Sequence, residues 1–303
     1  MGGWFVAFDE SRRYFVFFVF FVVASSSVTP SACGIGYCPT MPSFLARRRR
    51  AILRARPFPH EWRAIVARNV SSFSRLPPVD QKELEGHIQV FLREKHWEGC
   101  GGLELTDEIR VTISAQACML LLRRNADYYP RVTSILVYPS SYVATEERPV
   151  GGGIWSEEDE VRLGHTQQQL RAVVLAWDAA LHGSRMYGTG SNVVLHEFAH
   201  QLDFEDNRTD GTPLLPSQQQ YVSWARVLGQ EYEKLRRLDD AGELSFLDSY
   251  GATNPAEFFA VATEFFFEKP AELQLRHPLL YAELKKFYRQ DPAREWSEAP
   301  LAS

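Results

Sequence analysis

Residues 192–203 read NVVLHEFAHQLD, and this stretch constrains the chain more than any other. With Asn192 as the cap, Val193, Val194, Leu195, Phe198, Ala199 and Leu202 make a helix buried on several sides. Three polar groups must then find partners in apolar surroundings. His196 and His200 are four residues apart, so they stand one turn from each other on one face, about 6 Å along the axis. Two imidazoles so placed can hold one zinc ion, and Glu197 can reach a water on that ion without itself being a ligand. H-E-x-x-H is the metal-and-base signature of a zinc peptidase. The competing reading is a pair of satisfied core histidines, and a third ligand decides between the two.

Composition narrows the partners. At 303 residues, with 45% hydrophobic and 13% aromatic content, the chain can bury a large core. A formal net charge of −5 and a pI near 5.9 argue against nucleic acid as the main partner. Cysteines at 33, 38, 100 and 118 are too scattered for a disulfide framework or a zinc ribbon.

The N-terminus has two readings. Arg12 and Arg13 precede an apolar run at 14–24 (YFVFFVFFVVA) and a small-residue stretch, which together fit residues 12–32 to an export signal or tether. Met41 begins a second start-like segment, and the preferred reading makes residues 1–40 sequence upstream of the true start. A membrane partner is then expected only if the 14–24 run is retained. Residues 41–56 form a basic amphipathic segment (SFLARRRRAILRAR at 43–56), read as a solvated helix face in preference to a contact with acidic lipid or nucleic acid. Residues 57–292 are expected to form the main domain with a helical N-terminal layer, and 293–303 a tail.

Within that domain the period of the apolar residues predicts helices at 78–95 and from Thr106 or Asp107 to about 124, the latter burying Cys118 as a structural thiol. Residues 97–102 (WEGCGG) read as a turn, and 132–138 and 171–178 as strands. The second strand is either a core strand or a sheet edge open to an extended peptide. The acidic 157–160 segment reads as an exposed hairpin, with a flap over a cleft as the alternative. Ser217 caps a further helix to about 237.

The third ligand must come from elsewhere, because Asp203 and Asp206 occupy the positions where one zincin pattern needs glycine and histidine. Residues 253–269 (TNPAEFFAVATEFFFEK) start clearly at Asn254 and Pro255 and carry Glu257, Glu264 and Glu268 among phenylalanines. A carboxylate so placed needs a partner. Glu257 and Glu264 lie about 10 Å apart along the axis, too far for both to bind one ion. Glu257 is preferred, although it also stands at the capping-box position. Glu264 then becomes a candidate acceptor for a ligand histidine's other N–H.

HEFAHQLD, SYGATNPAEFFAVATEFFFEKP and HPLLYAELKKFYRQDP resemble the Mlc titration factor A family of bacterial zinc peptidases, over about residues 57–292. The resemblance implies one zinc ion on His196, His200 and Glu257, Glu197 as general base, and Tyr250, seven residues before Glu257, as the transition-state donor. It further implies a cytoplasmic enzyme of aminopeptidase type acting on peptides, and control of sugar uptake by binding a transcriptional repressor. A regulator-sequestering protein with structural zinc and little turnover is the alternative. The expected fold is α+β, mainly helical and zincin-like, with a small sheet next to the H-E-x-x-H helix.

Overall fold

The computed structural model describes residues 44–124, 127–140 and 171–296. Its N-terminal layer is built from α1 (Phe44–Arg54), α2 (His60–Asn69) and α3 (Pro78–Glu94). Pro78 opens α3 at a position where no backbone N–H is needed. α1 lies close on α3 at Gly86, where a Cβ would stand 3.2 Å from that of Arg54. Strand β1 (His96–Gly99) follows, then α4 (Asp107–Met119), whose first turn is capped by Thr106 Oγ1 accepting from Ile109 N at 3.3 Å. α4 is buried nearly all round, Cys118 included, as a helix through the centre of a core must be.

Strands β2 (Ser134–Tyr138) and β3 (Ala172–Ala176) complete a parallel sheet of order β1-β2-β3, with His96 opposite Ser134 and Ser134 opposite Ala172. β3 is an outer strand among the described residues, yet Ala172, Val173, Val174 and Leu175 are all buried. The two readings of this strand therefore meet: outer by pairing, core by burial. The chain turns directly from β3 into α5 (Trp177–Arg185) and then α6 (Val193–Asp203), the H-E-x-x-H helix. α7 (Gln218–Asp240), α8 (Pro255–Glu268), α9 (Pro270–Arg276), α10 (Pro278–Tyr288) and the short α11 (Pro292–Glu295) follow.

Phe198 of α6 packs its ring 5.7 Å from Phe91 of α3 and 4.7 Å from Tyr129, so the H-E-x-x-H helix is pinned to the N-terminal layer. On the other side, Trp224 of α7 meets Phe259 of α8 and Phe287 of α10 at 5.6 and 5.5 Å. The architecture is α+β and mainly helical, with the small sheet running into the helices that carry the histidines, as expected.

Local expectations needed correction at three places. The 97–102 turn begins inside β1, because His96 to Gly99 gain a partner in β2 that no local signal announces. The helix expected to reach about 124 stops at Met119, and Arg123 adopts a left-handed φ of 59° that a helix cannot continue through. The strand expected to reach 178 ends at Ala176, where α5 begins. The 1–40 leader and the acidic 157–160 segment lie outside the described residues. No helix among the described residues is long and apolar enough to cross a membrane.

Candidate metal centre

The start of α6 is tied to the C-terminal half of α8, and the loop leaving α6 to the start of α8. α6 is capped by Asn192, whose Oδ1 accepts from Leu195 N at 3.1 Å. The backbone N–H of Asn192 donates to Glu264 Oε2 on α8, and its side-chain amide stands 3.5 Å from Glu268 Oε1. Glu268 Oε2 also accepts from Gly188 N at 2.9 Å, so two carboxylates one turn apart on α8 bind the loop entering α6. α8 in turn starts at Pro255, with Asn254 Oδ1 accepting from Ala256 N and Glu257 N, each at 3.0 Å. The loop leaving α6 crosses that start at Gly211, with φ 74°, where a Cβ would lie 2.3 Å from Pro255 O. Asp203 Oδ2, at the end of α6, accepts from Gly211 N at 2.9 Å and holds the crossing.

This frame brings His196, His200 and Glu257 together. His196 Nε2 lies 2.9 Å from Glu257 Oε2 and 3.1 Å from His200 Nε2, and His200 Nε2 lies 3.3 Å from the same Glu257 oxygen. Tetrahedral zinc, with bonds of about 2.0–2.1 Å, sets ligand atoms roughly 3.3–3.4 Å apart, so the triangle has the size of a metal site's face. The other ring nitrogen of His196, Nδ1, stands 2.8 Å from Glu264 Oε1. With Glu264 ionised, Nδ1–H donates to it, which leaves Nε2 to face the Glu257 carboxylate, as a donor while the ring is charged and as a lone pair once a metal displaces that proton. Glu257 and two imidazole nitrogens therefore converge on one point. A proton can satisfy one of these contacts, whereas a divalent metal satisfies all three. The donor set of two imidazoles and one carboxylate fits zinc.

The electrostatics follow from burial and charge. Burial works against ionisation of Glu257, but His200 and His196 outweigh it and hold its carboxyl well below the usual range. Burial likewise disfavours the charged form of His196, and its hydrogen bonds to Glu257 and Glu264 reverse that and raise it. Glu197, 8% exposed, has its carboxyl raised by burial. Burial raises Glu264 too and pushes Glu268 up to about 8.

Tyr250 sits in the turn Ser249–Ala252 just before α8, fixed by Asp248 Oδ1 accepting from its N–H at 2.9 Å. Its ring stands 6.0 Å from that of His196, and the residue is 41% exposed. Every residue expected in the site, His196, Glu197, His200, Tyr250 and Glu257, is thus carried by α6, α8 or the turn before α8. Asp206 goes elsewhere, accepting from Arg208 N at 2.9 Å within its own loop. Glu268 and the second role of Asn192 were not anticipated. The signal was a third acid in an apolar helix, one turn beyond Glu264, where burial again demands a partner.

The model of the glucose-regulated metallo-peptidase M90 family matches residues 44–289. An uncharacterised protein of Synechocystis is 39% identical over 85% of this chain and 94% of its own length. Mlc titration factor A of Klebsiella pneumoniae is 31% identical over 79% of this chain and 89% of its own. The protein of the same name from Serratia proteamaculans is 31% identical over 72% and 84%.

Proposed function

The chain belongs to the glucose-regulated metallo-peptidase M90 family, and we propose that it is a zinc-dependent peptidase, of aminopeptidase type, that works at the junction of α6 and α8. The observation that carries this reading is His196, which faces Glu264 Oε1 with Nδ1 at 2.8 Å and faces Glu257 and His200 with Nε2 at 2.9 and 3.1 Å. In this proposal His196, His200 and Glu257 hold one zinc ion. Zinc bound there supplies Lewis acidity, bringing the pKa of water toward ~7 and polarising a peptide carbonyl. Glu197 takes the proton from the attacking water and passes it to the leaving amine; its burial keeps the proton affinity high enough for both steps. Glu264 fixes the tautomer of His196 through Nδ1. Tyr250 donates its hydroxyl to the oxygen on which charge develops.

Glu197→Gln tests the central step. The variant is expected to keep zinc and lose roughly 10²–10⁴-fold in peptide hydrolysis; unchanged hydrolysis with zinc retained would refute it. Comparing free and acetylated N-termini on one peptide tests the aminopeptidase reading, which requires the blocked substrate to resist.

The name Mlc titration factor A, shared by two of the relatives, supports a second role, binding of the Mlc repressor; we propose that the protein acts in the cytoplasm, as the family resemblance implies. Should wild-type protein lack turnover on a peptide library while Glu197→Gln still binds the repressor, sequestration is the function and catalysis is not.

A further inference from the structure

Residues 44–56 hold six arginines and no acid, in a chain of net charge −5. The structure shows that they do different jobs. Arg50 turns inward, donating from Nε and Nη2 to Glu94 at 2.8 Å each and from Nη1 to Asp127 at 2.5 Å, with its guanidinium 4.9 Å from the Tyr128 ring. Leu53 is buried, and Gln89 Nε2 donates to Arg56 O at 3.1 Å. α1 is therefore clamped to α3 along one side, which fixes what the other side presents.

That outer side combines charge with exposed aliphatic surface. Leu45 and Ile52, seven residues and so two turns apart, share a face and are 72% and 54% exposed. Arg48, Arg49 and Arg56 flank them, and Arg93 of α3 joins the wall of the shallow cavity of about 770 Å³ that they border. No carboxylate is among the residues that line it. Phe44, 77% exposed, stands at the leading end of the helix.

We propose that the outer face of α1, with Arg93, docks this protein on an anionic phospholipid surface. Arginines on both sides of an apolar stripe match a lipid interface, where guanidinium groups meet headgroup phosphates and aliphatic side chains sink to the acyl boundary. Nucleic-acid phosphates would satisfy the charge and leave Leu45 and Ile52 in water. The clamp through Arg50 means that no ordering of α1 opposes docking. Such docking needs no contribution from the apolar 14–24 run, and it is independent of the peptidase reading.

The test is co-sedimentation of the full chain with phosphatidylcholine vesicles, with and without phosphatidylglycerol. Wild-type protein is expected to bind the phosphatidylglycerol vesicles, and less so at high salt. The triple variant Arg48→Glu, Arg49→Glu, Arg56→Glu is expected to bind on the order of a hundredfold more weakly or worse. Leu45→Ser with Ile52→Ser is expected to lose at least about tenfold. These positions are exposed, so the circular dichroism spectrum and thermal melt without vesicles should be unchanged in both variants and report that they fold. Because the 14–24 run is the same in every protein compared, equal sedimentation of the triple variant and wild type overturns the proposal. So does equal binding to neutral vesicles, and so does retention on a DNA duplex with no binding to vesicles.

Discussion

Two of the charged clusters among the described residues solve the same problem in opposite ways. Around Arg50, each contact with Glu94 and Asp127 pairs a donor with an acceptor. Around His196, Nδ1 faces Glu264, while Nε2, His200 Nε2 and Glu257 Oε2 converge on one point where a single proton can serve only one of three contacts. Both clusters perturb ionisation: Glu94 and Asp127 outweigh burial to raise Arg50, and the histidines outweigh burial to lower Glu257. A shifted pKa alone therefore does not mark function. The balance of donors and acceptors does: one cluster closes on itself, and the other stays open to a cation.

Breaking the closed cluster should cost the most stability. Arg50→Ala leaves two carboxylates unpaired in a partly buried place and is expected to destabilise the fold by about 3 kcal/mol in urea denaturation, with zinc binding unaltered. Glu264→Ala should show the reverse balance. It removes the acceptor at His196 Nδ1 and is expected to weaken zinc affinity about 10–100-fold by competition with a chelator, with a smaller effect on folding. Glu268→Ala frees Gly188 N and loosens Asn192, which should cost about 1–2 kcal/mol of stability and shift zinc affinity less than Glu264→Ala does.

The smallest effect is a pH dependence in the N-terminal layer. Glu83 is held below its usual value of 4.5, first by its hydrogen bond with His87. A depressed carboxylate stabilises the fold fully above pH 4.5 and loses that contribution as pH falls through its folded value. Glu83→Gln should flatten this part of the acid limb in thermal melts, and a chelator should leave the difference between wild type and variant unchanged, because no metal is linked to it.

Much of the site was legible because capping and metal spacing are local codes. Asn192, Asn254 with Pro255, Thr106 and Ser217 each start a helix where their chemistry predicts, and H-E-x-x-H needs only one turn of helix to be recognised. The partner of that turn lies 61 residues further on, and two acids, Glu257 and Glu264, competed for the place, with Glu268 on the same helix. Geometry divides them: Glu257 reaches the Nε2 side of His196, Glu264 its Nδ1 side, and Glu268 the loop before it. What stayed hidden depends on tertiary pairing. β1 is a strand because β2 lies beside it, and Arg50 is unlike the arginines next to it only because Glu94 and Asp127 come to meet it.

Metal stoichiometry of purified protein tests the open cluster most directly. Wild type should hold one zinc ion per chain, and Glu257→Ala, folded as judged by its circular dichroism, should lose it under dialysis conditions that wild type withstands. Stoichiometric zinc in Glu257→Ala, held as tightly as in wild type, would contradict the assignment of His196, His200 and Glu257 as the metal's three protein ligands.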